Sequence, residues 1–517
     1  MCGVCVCVQC VCCVMRAILA LLPCLALSAD PAALQAAISA AIAAGAPSFT
    51  VPPGLYNFSA LPPGASATLL LANASNFSLV SGGGAGVEFV FPPHGGLTVY
   101  RGEGVRLVGP WVIDAWPPFT TQGVVSGGRR EGKFFNFTLT LDEGFELDPA
   151  RFLPSRGIFF DPATRRYLPN QTLCVTSALA AAPLGGRAWA VAVTFSCNPT
   201  LRVPDGSLCA LTPTPGRPVV QIENSTAVAV SDLTTHAAAG FTLLEIGGGG
   251  GHAYTRFRAV RRAGSARLMV SGADVFHSTS VAAGATLVDS ELSFAADDLF
   301  AVHCELGILW RRVNATAFYV IDTSAPPPGG YGLPQGRPGE GLLFYNMSEE
   351  MEKVGEATLE GLTPVTNASL VAEAQLAGEY IKRVLHLTLR PFPVNLLLAR
   401  LAPPGLPLRD YGALVELSSR CGAGTLVRGS YLHDTNGGMR LKGARVAVEG
   451  SVVENAYGMR MLPELFWTQS VSNNITLRDN VLRGCGCQPN TPHAIEYNPD
   501  IVGLTLVNNT VSPVGCT

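Results

Sequence analysis

The chain has few charged residues, and this scarcity excludes one class of partner. Asp, Glu, Lys and Arg make up 14% of its 517 residues, and the formal net charge at pH 7 is −3. Nucleic-acid-binding domains gather Lys and Arg on one face or stripe, and no basic cluster of that kind occurs in this sequence. We therefore predict no nucleic-acid partner.

Long hydrophobic runs are also scarce. Beyond the amino terminus, no run reaches the roughly 20 apolar residues that a membrane-spanning helix needs. At the amino terminus, Met15 opens a short basic region, residues 17–27 are apolar, and Ala29 follows small residues of the kind that signal peptidase requires. We expect a leader over residues 1–29, translated from Met1 or Met15, and a mature protein that is secreted or held at the cell surface.

Cysteines and glycosylation motifs agree with a secretory route. Eight of the fifteen cysteines lie beyond the leader, and an even number favours disulfides, with local pairs expected inside two sequence clusters. The C-x-C motif at 485–487 lacks the nearby His or Cys pair of a zinc site, so no metal and no other cofactor is predicted. The eight cysteines are Cys174, Cys197, Cys209, Cys304, Cys421, Cys485, Cys487 and Cys516. The eleven N-x-S/T motifs begin at Asn57, Asn73, Asn76, Asn136, Asn170, Asn224, Asn314, Asn346, Asn367, Asn474 and Asn508.

Short alternating apolar runs recur along the chain. The run at 427–432 recurs at 448–453, and the run at 477–482 recurs at 506–511, each with a small or amide residue at a corner. The tight-turn dipeptide Asn-Gly, which is typical of hairpins, occurs only once, at 436–437. Repeats of 20 to 30 residues built from β-branched and aliphatic runs indicate a β-solenoid. We predict an all-β fold, a right-handed parallel β-helix.

A helix precedes the repeats, and two segments interrupt them. Asp30 can cap a helix that starts at Pro31 and ends near Gly45, and this helix can cover the open end of the solenoid. The two interruptions alternate like antiparallel strands, so each predicts a β-rich insertion, such as a small barrel, that is either surface elaboration or a wall of a substrate site. The expected segments are the leader 1–29, the cap helix and first coils 30–119, an insertion 120–217, central coils 218–335, an insertion 336–393 and carboxyl-terminal coils 394–517.

Two acidic clusters lie about one coil apart. Asp297 and Asp298 follow Asp274 by 23 and 24 residues, with His277 and His303 nearby. Because stacked strands are about 4.8 Å apart, the carboxylates should face one groove, which is what glycoside hydrolysis requires. Neighbouring residues on a strand point to opposite faces, so one member of the Asp-Asp pair faces the core unless a corner turns it. The alternative is a strand corner followed by a solvated loop.

Other polar residues are candidates for substrate binding. Arg440 and Lys442 occupy alternate positions of one predicted strand, and on that shared face they could bind a sugar carboxylate or hydroxyls, or simply be solvated. Glu464 and Trp467 could form an aromatic platform for a sugar ring, or pack in the core. His252 follows a glycine-rich turn that lacks the Lys and the helix of a phosphate-binding loop.

Residues 228–480 resemble the pectin-lyase-like β-helix glycosidases, which include the polygalacturonases and, more closely, the α-1,3-galactosidases of glycoside hydrolase family 110. Gly272-Ala273-Asp274 is similar at its Asp to the N-T-D motif of the polygalacturonases, and Asp297-Asp298 is similar to their D-D motif. The resemblance implies a β-helix with catalytic carboxylates, and family 110 enzymes also carry β-barrel insertions.

The resemblance has two departures. Gly272 stands where the first motif has Asn, and no G-H-G motif is present, although 439–442 (Met-Arg-Leu-Lys) looks like the basic R-I-K motif. The departure at Gly272 concerns substrate contacts. Because the motifs are short and the overall match is at superfamily level, the fold transfers better than the substrate.

Together these observations predict a secreted, inverting glycoside hydrolase, a monomer that acts on a polysaccharide or glycan without a cofactor. Asp298 or Asp297 is the expected general acid, and Asp274 with the other member of the pair is expected to activate water. A non-catalytic carbohydrate-binding β-helix is the alternative. A polysaccharide lyase is a third possibility, but it would want a calcium site and a Lys or Arg base. The sequence does not identify the sugar or the linkage.

Overall fold

The computed structural model describes most of the chain beyond residue 29. The predicted leader, Glu464, Trp467 and the cysteines at 174, 197, 487 and 516 lie outside the described residues. The described ranges are 30–83, 86–168, 177–194, 203–213, 216–304, 307–322, 336–346, 353–376, 383–390, 413–417, 421–435, 437–461, 472–486, 493–497 and 501–512.

Most of the described strands are parallel and form two sheets, which the chain visits in alternation. Each visit adds strands beside those of the preceding coil, and we call this arrangement the coil stack; its handedness remains a prediction. Within the described ranges, the larger sheet contains β1 (Ser48–Val51), β2 (Gly54–Asn57), β4 (Ser78–Ser81), β5 (Val87–Phe91), β7 (Arg106–Ala115), β15 (Ala229–Thr235), β17 (Ala253–Thr255), β18 (Arg258–Ala259), β20 (Thr286–Val288), β21 (Glu291–Ala295), β29 (Leu426–Arg428), β30 (Tyr431–Thr435), β32 (Ala447–Glu449), β33 (Val452–Glu454), β35 (Thr476–Arg478), β36 (Val481–Arg483), β38 (Thr505–Val507) and β39 (Thr510–Ser512). The smaller sheet contains β3 (Thr68–Ala72), β6 (Gly96–Tyr100), β14 (Val220–Glu223), β16 (Leu243–Ile246), β19 (Phe276–Thr279), β22 (Phe300–His303), β31 (Met439–Leu441), β34 (Met459–Met461) and β37 (Ile495–Tyr497).

The core of the coil stack consists of files of inward-facing side chains. Tyr254, Leu287, Val427, Val448 and Leu477 occupy equivalent positions in successive coils, and all five are fully buried. Full burial of an aliphatic side chain contributes about 1.5–3 kcal/mol. The alternating apolar runs of the sequence therefore stabilise the stack one coil at a time.

Asparagines at the corners of the coils adopt the left-handed backbone conformation. Asn73, Asn76, Asn224, Asn474 and Asn508 have φ between 49° and 54°. Asn tolerates this region better than other residues with a side chain, because its short amide can form local hydrogen bonds. All five belong to N-x-S/T motifs, so the number of these motifs partly reflects what the corners require. It is correspondingly weaker evidence for glycosylation.

A ladder of polar side chains joins successive coils inside the stack. The N–H of Ser290 donates to Ser430 Oγ, and the N–H of Ser430 donates to Ser451 Oγ, both at 3.2 Å. The N–H of Ser451 then donates to Asn480 Oδ1 at 3.0 Å, and the N–H of Asn480 donates to Asn509 Oδ1 at 3.1 Å. Each side chain thus satisfies a buried backbone donor that would be costly to leave unpaired.

A helix covers the amino-terminal end of the coil stack, as the sequence predicts. This helix, α1 (Pro31–Ala43), begins after Asp30, whose side chain accepts a hydrogen bond from the N–H of Ala32. Leu34 and Ile38 are fully buried in the core of the stack. Gln35 accepts from the N–H of Leu70 at 2.6 Å and donates to its carbonyl at 3.0 Å. The helix therefore satisfies backbone groups at the edge strand β3.

Two closed antiparallel barrels interrupt the coil stack. Barrel 1 falls within the predicted range 120–217. Barrel 2 extends beyond both ends of the predicted range 336–393, because its outer strands have apolar runs similar to those of the coils. Barrel 1 contains β8 (Thr121–Glu131), β9 (Phe134–Leu141), β10 (Ser155–Phe160), β11 (Ser177–Gly185), β12 (Ala188–Thr194) and β13 (Leu208–Pro213). Barrel 2 contains β23 (Gly307–Arg312), β24 (Ala317–Asp322), β25 (Gly341–Asn346), β26 (Lys353–Pro364), β27 (Arg383–Leu389) and β28 (Ala413–Leu417). Short helices are the 3₁₀ turn Phe58–Ala60, α2 (Pro149–Phe152) and α3 (Ala368–Leu376).

A disulfide joins the two points at which the chain leaves and re-enters the coil stack around barrel 2. It links Cys304, after β22, to Cys421, before β29, across 117 residues of sequence. This pair is not local, unlike the pairs expected inside the two cysteine clusters. Cys209 is buried in the core of barrel 1. Among the residues that the structure describes, no helix is both long and apolar enough to cross a membrane.

Candidate functional site

Three carboxylates meet at one corner of the coil stack. The N–H of Val275 donates to the carbonyl of Asp298 at 2.9 Å, and the N–H of Asp298 contacts Asp274 Oδ1 at 3.4 Å. One carboxylate oxygen of Asp274, one of Asp297 and one of Asp298 all lie within 4.8 Å of one another. The 24-residue spacing thus places Asp274 and Asp298 at the same corner of neighbouring coils.

The corner explains how two adjacent aspartates share one site. Asp297 and Asp298 precede β22 and do not belong to it, so strand alternation does not separate their side chains. The N–H of Gly438 donates to Asp298 Oδ1 at 3.1 Å. A Cβ atom on Gly437 would lie 2.4 Å from that same oxygen. Glycine at 437 therefore allows the backbone of the next coil to approach the carboxylate.

Two arginines face the aspartates. Arg440, on β31, places Nε 2.5 Å from Asp298 Oδ2 and a guanidinium nitrogen 4.0 Å from Asp297. Arg156, on β10 of barrel 1, places Nη1 2.7 Å from Asp297 Oδ2, and it also donates to the carbonyl of Ala296. Barrel 1 therefore contributes a charged residue to a site whose carboxylates all come from the coil stack.

The charges around Asp297 favour its ionised form. Burial acts to raise the pKa of Asp297, but the positive charges of Arg156 and Arg440 outweigh this effect, and the pKa is lowered. Reciprocally, the charge of Asp297 raises the pKa of Arg156. With 22% of its side chain exposed, Asp297 is the most accessible of the three aspartates, since the side chains of Asp274 and Asp298 are 6% and 4% exposed.

Two histidines extend the site along the smaller sheet. His277 Nδ1 lies 2.6 Å from Asp274 Oδ2, and its Nε2 lies 2.9 Å from His303 Nε2. Both histidines are on neighbouring strands, β19 and β22, and both are buried. Burial lowers the pKa of His303 well below its usual value, and the nearby charges of His277, Lys442 and Arg440 lower it further.

The other predicted contacts fall elsewhere. Lys442 is fully buried, so it is not on an accessible sugar-binding face, and its charge acts on His303. His252 is also buried, and its Nδ1 accepts a hydrogen bond from the N–H of Val228 in the preceding coil. This bond gives His252 a structural partner in the stack. Glu464 and Trp467 lie outside the described residues.

The departure at Gly272 has a steric cause. A Cβ atom at this position would lie 2.2 Å from the carbonyl oxygen of Ala239 and 3.2 Å from the ring of Phe119. No side chain fits there without a shift of the backbone, so the Asn of the polygalacturonase motif could not be accommodated.

Two guanidinium groups oppose the three carboxylates of the cluster. The guanidinium groups of Arg156 and Arg440 contact Asp297 Oδ2 and Asp298 Oδ2. The arrangement supports proton transfer and stabilisation of a developing positive charge, which are the tasks of carboxylates in glycosidic bond cleavage. Such chemistry needs no metal or organic cofactor.

Comparison with known proteins identifies no family. No family model matches the chain, and no curated protein matches it by sequence. A polygalacturonase from Erwinia carotovora ssp. carotovora is 9% identical over 87% of this chain and 88% of its own, with a TM-score of 0.27. A tailspike of an Acinetobacter baumannii bacteriophage, in complex with capsular saccharide, is 9% identical over 87% of this chain and 55% of its own, with a TM-score of 0.20. The A-module of the Azotobacter vinelandii mannuronan C-5 epimerase is 9% identical over 93% of this chain and 95% of its own, with a TM-score of 0.18. TM-scores this low support no inference about function.

Proposed function

We propose that the protein is a secreted glycoside hydrolase that cleaves a polysaccharide or glycan by carboxylate acid–base catalysis. The observation that carries this proposal is the group of three aspartates, whose nearest oxygens lie within 4.8 Å of one another. The residue-level resemblance to polygalacturonases and to family 110 α-1,3-galactosidases supports the same class. A right-handed coil stack and a monomeric state belong to the proposal.

Asp297 is the base in this proposal. Its pKa is lowered by Arg156 and Arg440, so it is a carboxylate at neutral pH and can accept a proton from water. It is also the aspartate that a substrate and a water molecule can reach most readily. This assignment removes Asp297 from the two residues that the sequence left open as the general acid.

The proposal is tested by screening the purified protein on galactosides, galacturonans and other polysaccharides, with the product anomers followed by NMR. Asp297→Asn should lower hydrolysis by at least about 10²-fold, since general acid–base residues contribute about 10²–10⁴-fold. Asp232→Asn is the matched control, because Asp232 pairs with Arg256 on the exposed surface of the larger sheet. Full turnover by Asp297→Asn, with far-UV circular dichroism unchanged in both variants, would contradict the proposal.

A non-catalytic carbohydrate-binding protein is the second candidate. The burial of Asp274 and Asp298, which leaves only 4% and 3% of each residue exposed, favours a structural role for these two side chains. If saccharides bind but no product forms from any of them, this second candidate is correct.

A further inference from the structure

A chain of hydrogen bonds runs from Asp274 to a backbone carbonyl through two buried histidines. Asp274 Oδ2 lies 2.6 Å from His277 Nδ1, and His277 Nε2 lies 2.9 Å from His303 Nε2. His303 Nδ1 lies 2.8 Å from the carbonyl oxygen of Cys304 and 3.4 Å from Thr279 Oγ1. Each link needs one hydrogen, so the positions of the protons can be worked out from one end.

The carbonyl of Cys304 determines which nitrogen of His303 carries a hydrogen. A carbonyl oxygen only accepts hydrogen bonds, so His303 Nδ1 must carry a hydrogen. His303 is 2% exposed, and burial together with nearby positive charge keeps its ring neutral. A neutral ring protonated at Nδ1 has a bare Nε2, which accepts a hydrogen bond.

The proton position on His303 determines which nitrogen of His277 carries a hydrogen. Because His303 Nε2 accepts, His277 Nε2 must carry a hydrogen. The contact between His277 Nδ1 and Asp274 Oδ2 then needs a further hydrogen, which is held by either the imidazole or the carboxyl. In both cases the Asp274–His277 pair holds one proton more than an ionised Asp274 beside a neutral His277.

We infer that Asp274 is the general acid of the proposed reaction, and that His277 and His303 are positioning residues that keep a proton on the Asp274 side of the site. The inference rests on the proposed function. Asp297 and Asp298 are less suitable donors because each faces a guanidinium group, Arg156 at 2.7 Å and Arg440 at 2.5 Å respectively. The hydrogen-bond order thus leaves a transferable proton on the Asp274–His277 pair.

These groups account for every proton that moves in the reaction. As the glycosidic C–O bond breaks, the leaving oxygen takes the extra proton of the Asp274–His277 pair through the Asp274 carboxyl. Water forms the new C–O bond to the anomeric carbon and gives a proton to Asp297. One proton has then moved from the Asp274–His277 pair to Asp297, and exchange with solvent restores the starting state.

An aromatic ring and several charged groups surround His277. The ring of Phe241 packs against it at 4.7 Å between ring centroids, and Asp274 and His303 are hydrogen-bond partners of His277. Charged groups that act on the cluster are Asp297, Asp298, Arg156, Arg440 and Lys442.

The hydrogen-bond order can be measured without any substrate. In ¹⁵N-histidine-labelled protein, NMR should show His303 as the neutral ring protonated at Nδ1, and His277 protonated at Nε2, from about pH 5 to pH 8. His303→Gln and His277→Gln assign the two spectra by the signals that they remove. If His303 is protonated at Nε2, or if His277 Nε2 carries no hydrogen, the inference is wrong.

The role of Asp274 as acid is tested by the leaving group. Asp274→Asn should lose at least about 10²-fold in kcat/KM on an unactivated oligosaccharide. It should lose less than about 10-fold on a dinitrophenyl glycoside of the same sugar, because that leaving group departs without protonation. Asp297→Asn should lose activity on both substrates, since water must still be activated. An equal loss by Asp274→Asn on both substrates would overturn the assignment.

The role of His303 is tested by the pH profile. His303→Phe removes the acceptor that His303 Nε2 provides for the Nε2 hydrogen of His277, and the imidazole can then place that hydrogen on Nδ1 toward an ionised Asp274. The Asp274–His277 pair should then lose its extra proton at a lower pH. The alkaline limb of the kcat/KM profile should therefore move down by about one to two pH units, the size expected for one buried hydrogen-bond mismatch. His303→Gln, whose side-chain oxygen can accept from His277, should restore the original limb.

A matched control separates these effects from folding. His236 is a half-buried histidine whose Nδ1 contacts the carbonyl of Val260 at 2.9 Å, so His236→Gln makes a similar change elsewhere in the coil stack and should leave the profile unchanged. An unshifted limb in His303→Phe overturns the inference. A protein that hydrolyses no glycoside overturns both the proposed function and the acid role, whereas hydrolysis with the wrong tautomers overturns the inference alone.

Discussion

The ion pair between Arg156 and Asp297 links barrel 1 to the candidate site, and its removal gives the sharpest prediction. Arg156→Ala leaves Asp297 with the more distant Arg440, whose guanidinium nitrogen is 4.0 Å away. The pKa of Asp297 should rise toward its usual value, and the stability of the protein at neutral pH should fall.

The magnitude follows from distance and exposure. Opposite unit charges about 4 Å apart interact by roughly 4 kcal/mol at an effective dielectric constant of 20. The side chains of Arg156 and Asp297 are 28% and 22% exposed, so partial screening and the cost of desolvation reduce the net coupling to about 1–3 kcal/mol. A coupling of this size corresponds to a shift of about one to two units in the pKa of Asp297.

Urea unfolding of the four proteins in a double-mutant cycle, Arg156→Ala with Asp297→Asn, measures the coupling directly. The folded-state pKa of Asp297 is lowered, so its contribution to stability is present above the unfolded-state pKa of about 3.9. That contribution is lost as the pH falls through the folded-state pKa. The coupling should therefore be full at pH 7 and should shrink as Asp297 becomes protonated in acid.

The pair of Arg129 and Glu131 provides the control, because it lies in the same barrel with its side chains 80% and 54% exposed. Arg129→Ala should show no resolvable coupling to Glu131. If the coupling of Arg156 to Asp297 is equally small, or if it does not change between pH 7 and pH 3, the assignment of Asp297 as a charge-stabilised base fails.

Three further predictions concern the fold. Asn480→Ala should lower the free energy of unfolding by about 1–3 kcal/mol, because the N–H of Ser451 loses its buried acceptor. Asn480→Ser should recover part of the loss. Equal stability in urea of the unsubstituted protein and both variants would argue against the ladder. Replacing Cys304 and Cys421 together by Ser should cost about 2–4 kcal/mol, since the disulfide closes a long loop, and a midpoint of thermal unfolding that is the same with and without reductant would refute this. Gly272→Ala should cost about 1–3 kcal/mol through overpacking, and an unchanged thermal midpoint would show that the backbone yields freely.

The coil spacing explains why much of the site could be predicted from the sequence. A 24-residue interval between Asp274 and Asp298 matches one coil, and coils stack by backbone hydrogen bonds, so equivalent corners must lie side by side. On the neighbouring strands β19 and β22, His277 pairs with Ala301 and Thr279 with His303, so the two histidines are close along a diagonal of the sheet; Arg440 pairs with Ala301 only after barrel 2 has intervened. The periodicity therefore predicts that Asp274 and Asp298 are close, and it does not by itself predict the position of Arg440.

Contacts between the barrels and the coil stack could not be predicted in this way. Arg156 reaches Asp297 from 141 positions earlier in the chain, and no repeat relates the two. The sequence offers no local feature that separates Arg156 from the other arginines of the insertion. The burial of Lys442 could not be predicted either, because alternation along residues 439–442 indicates a shared face and does not reveal what covers that face.

The position of Arg156 is nevertheless held firmly, because barrel 1 contacts the coil stack at a second point close by. Arg166, in the turn after β10, contacts Asp434 at 2.9 Å and Glu454 at 2.6 Å, both on the larger sheet. The hydroxyl of the adjacent Tyr167 donates to the carbonyl of Ala295, just before the aspartate pair. Because Arg156 and these anchors belong to one short stretch of barrel 1, the strand that carries Arg156 is fixed in place over Asp297. An insertion fixed in this way helps to set the charge of the site, which is more than surface elaboration would do.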